Sequence, residues 1–230
     1  MIYSRRNLEE TIERIGLLPF FSNNIPGFSV EEMTEPGLLF GGNEFDGAWE
    51  WKGPVIRSIN AAYGKFFRRK AGFVSAGVLP DFLNYRRHAY PLAEGSTEEL
   101  ILEVISNCDG ITSTELRREL FGTPQRSRKA DMPVDLVSGK DKASRGSLET
   151  PLQRLQMSGR IIISDFEYKH TRSGDRYGWG IARFATPESV YGREIARPGR
   201  TPASSFAVIV KRLSEQLPDI SLHQIRRLLV

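Results

Sequence analysis

Two segments of the sequence place clustered cations at a turn between aromatic stretches. One is "EYKHTRSGDRYGWG", residues 167–180, and the other is "KFFRRKAGFVS", residues 65–75. Lysine and arginine side chains at such tips contact phosphate oxygens, which position a protein on nucleic acid without reading its sequence. The predicted backbone-binding residues are Lys169, His170, Arg172, Arg176, Arg68, Arg69 and Lys70. The alternative is ordinary solvated surface charge.

A third segment, "SLETPLQRLQMSG", predicts a helix whose polar face suits base recognition. Leu148, Leu152 and Leu155 recur on one face, and Gly159 ends the helix. The opposite face carries Thr150, Gln153, Arg154 and Met157. Glutamine pairs with adenine and arginine with guanine through two hydrogen bonds each, so this face could read a major groove. The alternative is a polar surface of a compact domain.

Carboxylates and tryptophans alternate in "NEFDGAWEW". The candidate catalytic groups are Glu44, Asp46 and Glu50, and the candidate base-stacking rings are Trp49 and Trp51. Base excision needs a polar group that positions water, together with aromatic surface that holds an extruded base. The alternative is that these tryptophans anchor the core at a domain junction.

Other chemistries lack their residues. His88, His170 and His223 are far apart in sequence and Cys108 is the single cysteine, so no zinc-ligand spacing occurs. The glycine-rich "GLLFGGNEFDG" lacks the lysine and hydroxyl residue of a phosphate-binding loop, and no serine-hydrolase elbow is present. The sequence therefore predicts neither a metal nor a cofactor.

The elements that position these residues are clearest between 96 and 187. Two short helices with capping-box patterns at Ser96 and Thr112 precede the "SLETPLQRLQMSG" helix, and two β-rich stretches follow it. Three helices followed by a hairpin is the winged-helix order, in which the third helix enters the major groove and the hairpin is the wing. Residues 123–145 interrupt this domain with a basic, proline-punctuated insertion, which predicts an exposed loop or an extra backbone-binding arm.

Residues 1–95 repeat part of this pattern less regularly. An amphipathic helix ends at Gly16, "SVEEMTEPG" predicts a short second helix, "GPVIRSINAAYG" a third, and "KFFRRKAGFVS" a hairpin. The sequence thus predicts an α+β fold with tandem winged-helix units at 1–95 and 96–187. Helices in 188–230, with "LPDFLNYRRH", are predicted to brace the units or to support a homodimer.

The bulk composition favours a globular, water-exposed protein. The chain has 230 residues, 40% of them hydrophobic, with a net charge of +4. No apolar run reaches the roughly 20 residues of a membrane-spanning helix, and the charged N-terminus does not resemble a signal peptide. A single cysteine fits a reducing compartment. We expect a cytoplasmic protein without membrane contact.

Several stretches resemble a known family: "WEWKGPVIR", "AYGKFF", "AGFVS", "PDFLNYRR", "LQRLQM", "DFEY" and "YGWGIARFATPE". Together they resemble bacterial AlkZ-related proteins, which are distantly similar to the AlkZ/YcaQ DNA glycosylases. The resemblance implies tandem winged helices and a link to DNA repair. Those glycosylases carry a glutamine one residue before a second glutamine or an aspartate, and this chain has no such pair. Gln153 and Gln156 are three residues apart. The resemblance therefore implies the fold but transfers no catalytic residue.

Three functions follow from these patterns. The leading prediction is a winged-helix protein that binds double-stranded DNA, without an enzymatic activity. The first alternative is a lesion-specific DNA glycosylase, and the second is a winged-helix module that binds proteins or forms a dimer. Salt-sensitive duplex binding separates the first two from the third, and base release from alkylated DNA separates the glycosylase from a binder.

Overall fold

Six antiparallel strands form one sheet, around which ten α-helices lie in the computed structural model of the chain. The structure describes residues 1–41, 47–58, 60–122, 147–174 and 176–229, and these counts refer to those ranges. The α+β class predicted from the sequence is confirmed. The insertion predicted at 123–145 lies outside the described residues. The helices on either side of it are described.

The first half contains a helix, a short strand, two helices and a β-hairpin, followed by a connecting helix. Its elements are α1 (Arg5–Ile15), β1 (Leu17–Pro19), α2 (Val30–Met33), α3 (Ala48–Arg57), β2 (Ala61–Phe67), β3 (Lys70–Ser75) and α4 (Leu79–Ala89). A single turn of 3₁₀ helix at Pro36–Leu38 precedes α3. The predicted hairpin around "RRK" is therefore present between β2 and β3.

The second half repeats the order of the first. Its elements are α5 (Thr97–Ser106), β4 (Ile111–Thr112), α6 (Ser113–Phe121), α7 (Glu149–Met157), β5 (Ile162–His170) and β6 (Arg176–Ala185). The chain then continues through α8 (Pro187–Tyr191), α9 (Pro202–Gln216) and α10 (Leu222–Leu228). Each half thus runs helix, short strand, helix, helix, hairpin. We call the β2–β3 hairpin the first hairpin and the β5–β6 hairpin the second hairpin.

The two hairpins join into one sheet with the strand order β1-β3-β2-β5-β6-β4. The join is an antiparallel pairing of β2 with β5 at Tyr63 and Ile163. Because these strands run in opposite directions, the tips of the two hairpins point to opposite ends of the sheet. No sequence pattern indicated that β2 pairs with β5.

Local sequence signals explain most helix starts. Ser29 caps α2 and Ser96 caps α5, each by accepting a hydrogen bond from a backbone N–H of the first turn. Thr112 and Glu115 form a complete capping box at α6. Such caps satisfy donors that have no partner within the helix. The capping patterns at Ser96 and Thr112 therefore predicted the helix starts correctly.

The third helix of the first half differs from its prediction. The sequence placed it in "GPVIRSINAAYG", whereas α3 begins at Ala48 and ends at Arg57, so Pro54 lies inside it. Residues 61–64 instead belong to β2, where they pair with β3. Proline normally occupies the first turn of a helix, which misled the prediction. The strand forms because long-range pairing and burial outweigh local preference.

The third helix of each half packs against the hairpin of the other half. Helix α7 lies against β2, where the buried Gln156 accepts a hydrogen bond at 3.0 Å from the backbone N–H of Lys65. Helix α3 lies against β5, where the Lys52 ammonium is 4.8 Å from the ring centroid of Phe166. The two halves are therefore interlocked through one core.

Helix α4 stabilises the contact between α7 and the first hairpin. Arg86 is fully buried, and its Nε donates a hydrogen bond to the carbonyl oxygen of Met157 at the end of α7. Its Nη2 donates to the carbonyl oxygen of Phe66 in β2. One side chain thereby connects α4, α7 and the first hairpin.

Helix α9 packs mainly on α4, and α10 packs on α9. Phe206 of α9 stacks on Tyr85 with ring centroids 4.7 Å apart, and Ile209 and Leu213 are fully buried. The apolar side of α9 is therefore packed in the core, as expected for a bracing helix. Within the described ranges, no helix is long and apolar enough to cross a membrane.

Candidate nucleic-acid interface

The first hairpin presents two arginines at its tip in an unusual backbone conformation. Phe67 pairs with Lys70, so Arg68 and Arg69 form a two-residue turn. Both have positive φ, 47° and 68°, as a type I′ turn requires. Asparagine and glycine are the residues that suit these positions, because a Cβ atom makes left-handed backbone costly. The turn therefore holds its two cations at a conformational cost.

Both arginines are exposed, and so is Lys70, whose Nζ donates a hydrogen bond to the carbonyl oxygen of Ser22. The ion pairs among the described residues do not include Arg68 or Arg69. Their charge is thus available to an external anion.

A cleft of about 500 Å³ joins this tip to the exposed end of α7. The sequence-predicted residues that line it are Arg69, Thr150, Gln153, Arg154 and Met157. Thr150 and Arg154 are exposed and Gln153 is half-buried. The structure thus brings the predicted reading face of α7 together with the tip of the first hairpin, rather than with the hairpin that follows α7 in sequence.

Two charged residues that line the cleft, Arg160 and Glu98, were missed by the sequence analysis. Arg160 lines it and donates a hydrogen bond at 2.9 Å to the carbonyl oxygen of Tyr90. Burial, together with repulsion from Arg87, lowers the pKa of Arg160. On the opposite side, Arg154 forms an ion pair with Glu98 at 3.0 Å. The cleft therefore combines three arginines with one carboxylate, a balance that favours an anionic ligand.

The second hairpin carries its cations at the other end of the sheet. Lys169, His170 and Arg172 are exposed. Arg176 is the first residue of β6, and its side chain lies outside the described part. In the described part of the chain, Lys169 and Arg172 form no ion pair.

The body of the second hairpin differs from its tip. Arg57 pairs with Asp165 at 2.8 Å, and Arg183 pairs with Glu167 at 3.0 Å. These two cations are paired with carboxylates, whereas the ion pairs among the described residues do not include Lys169 or Arg172. The tip is therefore the part of this hairpin that suits phosphate contact.

A polar and aromatic cluster lies where α3 meets the second hairpin. Glu50, in the first turn of α3, accepts a hydrogen bond at 3.2 Å from the hydroxyl group of Tyr168. Trp49 is partly exposed and contacts Trp179 edge to face, with centroids 5.6 Å apart. Of the predicted acidic and aromatic residues, the structure thus brings together Glu50 and Trp49.

The remaining candidates of this group have different outcomes. Trp51 is only 6% exposed and lies in the hydrophobic core, so its predicted stacking role is not supported. The alternative interpretation, a core anchor, describes it correctly. Glu44 and Asp46 lie outside the described residues. A catalytic role for either of them remains a prediction from the sequence.

Lys52 is the unexpected member of the cluster. It is 3% exposed, its Nζ donates a hydrogen bond at 2.6 Å to the carbonyl oxygen of Trp49, and it lies 3.7 Å from the centroid of the Trp49 ring. Burial lowers the pKa of Lys52 to about 8, an effect that the nearby Glu50 opposes. The burial of Lys52 between aromatic rings is not visible in the local sequence, because one of the two rings, Phe166, comes from β5.

The arrangement offers phosphate-binding cations, amide and guanidinium groups for base edges, and aromatic rings for stacking. In the described part of the chain, no group of three histidine, cysteine, aspartate or glutamate side chains is placed to hold a metal ion. One carboxylate, Glu50, and one buried amine, Lys52, lie beside the aromatic cluster.

Comparison with known proteins gives one family and one distant structure. A model of the AlkZ-related family matches residues 2–230. No curated protein matches the chain. Among solved structures, the DNA glycosylase AlkZ of Streptomyces sahachiroi matches 89% of this chain with 11% sequence identity and a TM-score of 0.46. The match covers 50% of that protein, so this chain spans about half its length.

Proposed function

The chain belongs to the AlkZ-related family, and from that premise we propose that it is a double-stranded DNA-binding protein made of two interlocked winged-helix units. The repeated order of helix, strand, helix, helix and hairpin supports this assignment. In such units the third helix contacts base edges, and the hairpin contacts the backbone. Here α7 would act with the first hairpin, beside which it lies.

The observation that carries the proposal is the turn at Arg68 and Arg69. Two successive non-glycine residues with positive φ cost about 1 to 2 kcal/mol each. Strain of this kind persists where function requires it. The two side chains are exposed and carry no ion pair within the described ranges, so phosphate binding explains their retention at the tip.

We predict opposite effects on stability and binding from replacing this turn. The double variant Arg68→Asn, Arg69→Gly should raise the free energy of unfolding by about 1 to 2 kcal/mol, because these residues suit a type I′ turn. The same variant should bind duplex DNA roughly tenfold more weakly and lower the salt slope of log K by about 2, since two phosphate contacts are lost. Urea unfolding and fluorescence anisotropy measure the two effects.

A charge-conserving control separates strain from charge. Arg68→Lys, Arg69→Lys keeps both cations and both unfavourable backbone conformations, so its stability and its affinity should stay near those of the wild type. A turn variant that gains stability without losing affinity would remove the first hairpin from the interface.

The second hairpin gives an independent prediction. Lys169→Ala with Arg172→Ala should weaken binding to all duplex sequences, roughly tenfold, and should also lower the salt slope by about 2. Titrations between about 50 and 200 mM salt measure both quantities. The control is Arg5→Ala with Arg6→Ala, which removes the same charge from α1, where both arginines pair with glutamates.

Equal binding by the wild type and the second-hairpin variant would remove this hairpin from the interface. If the wild type binds no duplex even at low salt, DNA binding gives way to the protein-interaction or dimerisation module. Both outcomes can be read from one set of titrations.

A second candidate, base excision, is favoured by one observation. The carboxylate of Glu50 is held by Tyr168 beside the partly exposed Trp49, with a buried amine at Lys52 nearby. A carboxylate and an aromatic ring are the groups that such chemistry needs. Release of a base from alkylated duplex, abolished by Glu50→Gln, distinguishes this activity from binding alone.

A further inference from the structure

Trp179 is the most exposed large aromatic side chain among the described residues. Its relative exposure is 71%, and Phe40 nearby is 58% exposed. Both rings contact Trp49, at centroid distances of 5.6 and 6.0 Å. We call Trp179, Trp49 and Phe40 the aromatic platform. Leaving so much aromatic surface in water is unfavourable, so the platform needs an explanation beyond folding.

The backbone of the second hairpin aims Trp179 outward. Glu167 pairs with Ile181 and Lys169 with Tyr177, so residues 178–180 lie opposite the single residue 168. This irregularity is a β-bulge, a feature that redirects side chains. The exposure of Trp179 is thus set by the strand register.

Two glycines make the bulge possible. Gly178 has a φ of 74°, which a residue with a Cβ atom rarely adopts. At Gly180 a Cβ atom would lie 3.0 Å from Cζ of Tyr168, so a larger residue would push that ring away from the strand. The sequence "YGWG" therefore places Trp179 on a bulge, where its ring contacts Trp49 and stays exposed to solvent.

Exposed cations lie farther along the same hairpin, toward its tip. Lys169 follows Tyr168 in β5, and His170 and Arg172 come next, all three exposed. Exposed aromatic surface on a hairpin that also carries cations outside the described ion pairs suits a polyanion with flat groups. Single-stranded nucleic acid has this chemistry, because its bases stack on aromatic rings while its phosphates contact cations. In an intact duplex the base faces are already stacked on each other.

We propose that the aromatic platform binds unpaired bases of DNA, in a single strand or in an opened segment of a duplex, with Trp179 as the stacking residue. For opened duplexes the proposal rests on the proposed function, because the flanking paired DNA is held by the hairpin cations. For a single strand it stands alone. The chain would then prefer DNA with an unpaired segment over the same DNA fully paired.

The test compares three DNA probes with two variants. The probes are a fully paired duplex, the same duplex with a central unpaired thymine segment, and single-stranded oligo(dT). Trp179→Ala should weaken binding to the last two by about 5- to 100-fold, the range measured for loss of one base-stacking ring. It should leave affinity for the paired duplex unchanged. Trp179→Phe keeps a ring and should retain most of the preference.

A matched control removes an equally exposed aromatic side chain from another place. Tyr3 is 66% exposed and precedes α1, outside both hairpins, and Tyr3→Ala should bind all three probes as the wild type does. Circular dichroism confirms that each variant is folded. Because Trp179 is exposed, we expect no loss of fold.

Each outcome separates this inference from the proposed function. Wild-type binding to the paired duplex, with no effect of Trp179→Ala on the unpaired probes, overturns the platform and leaves duplex binding intact. An equal loss on paired and unpaired probes also overturns it, because the ring would then be a general contact. Binding of oligo(dT) that depends on Trp179, without any duplex binding, supports the platform and overturns the proposed function.

Discussion

Replacing Arg86 with alanine lowers the free energy of unfolding by about 3 to 5 kcal/mol, the range of a large truncation that also leaves buried carbonyls without donors. Arg86 is fully buried and donates hydrogen bonds to carbonyl oxygens of Met157 and Phe66. Its guanidinium also lies 4.6 Å from the centroid of the Tyr90 ring. Truncation therefore loosens α4, α7 and the first hairpin together. Chemical denaturation followed by circular dichroism measures the loss.

Two further variants make this prediction specific. Arg86→Met keeps much of the buried volume but donates no hydrogen bond. Its free energy of unfolding should therefore fall by less than that of Arg86→Ala. Lys211→Ala removes a cation on α9 that is paired only at the surface, and should change stability by less than about 0.5 kcal/mol. A loss of unfolding free energy below about 1 kcal/mol for Arg86→Ala would show that the packing of α4, α7 and the first hairpin does not depend on this side chain.

Replacing Lys52 with methionine should stabilise the protein at neutral pH by about 1 to 3 kcal/mol. The pKa of Lys52 is lowered to about 8 by burial, so below that pH the folded state carries a buried charge that the unfolded chain solvates. Methionine has a similar length and keeps the contacts with the Trp49 and Phe166 rings. The gain is reduced by loss of the hydrogen bond to the carbonyl oxygen of Trp49.

The sign of the pH dependence follows from proton binding. Between about pH 8 and the ordinary lysine pKa, the unfolded chain binds more protons at this position than the folded chain. Wild-type stability from this group therefore rises with pH in that window, and the advantage of Lys52→Met shrinks. Denaturation at about pH 7 and pH 9.5 measures the difference, with Lys65→Met, in the half-buried part of β2, as the control. An advantage that does not change with pH would mean that folding leaves the pKa of Lys52 unchanged, because the folded and unfolded chains would then bind equal numbers of protons at this position.

Local signals in the sequence predicted the elements but not their assembly. The caps at Ser96 and Thr112 and the β-rich stretches on either side of 171–175 each depend on a few adjacent residues, and the helices and hairpin they predicted are present. The pairing of Tyr63 with Ile163 has no local signal, because one antiparallel contact between distant strands leaves no pattern in either. The helix predicted in "GPVIRSINAAYG" gave way to a strand at residues 61–64, because pairing with β3 outweighed the local preference.

The candidate site was predictable to the same extent. Exposed cations beside a turn are visible in the sequence, and Arg68, Arg69, Lys169 and Arg172 are exposed. The grouping of Arg69 with Gln153 and Arg154 was not visible, since it depends on how α7 crosses to the first hairpin. Lys52 and Trp179 were missed because each contacts a ring on another element, Phe166 of β5 for Lys52 and Trp49 of α3 for Trp179.

The opposed directions of the hairpins determine how the molecule would engage a DNA molecule of limited length. From the Tyr63–Ile163 pair, the first tip is about five residues away in one direction and the second about eight in the other, at about 3.3 Å per residue. The tips are therefore separated by up to about 40 Å, longer than the roughly 34 Å of one helical turn of DNA. If both tips contact one duplex, as we propose, the protein would be bivalent along the DNA axis. We would then expect duplexes shorter than about 12 base pairs to engage one tip at a time and longer ones to gain the second contact intramolecularly, so that affinity increases in a step with length.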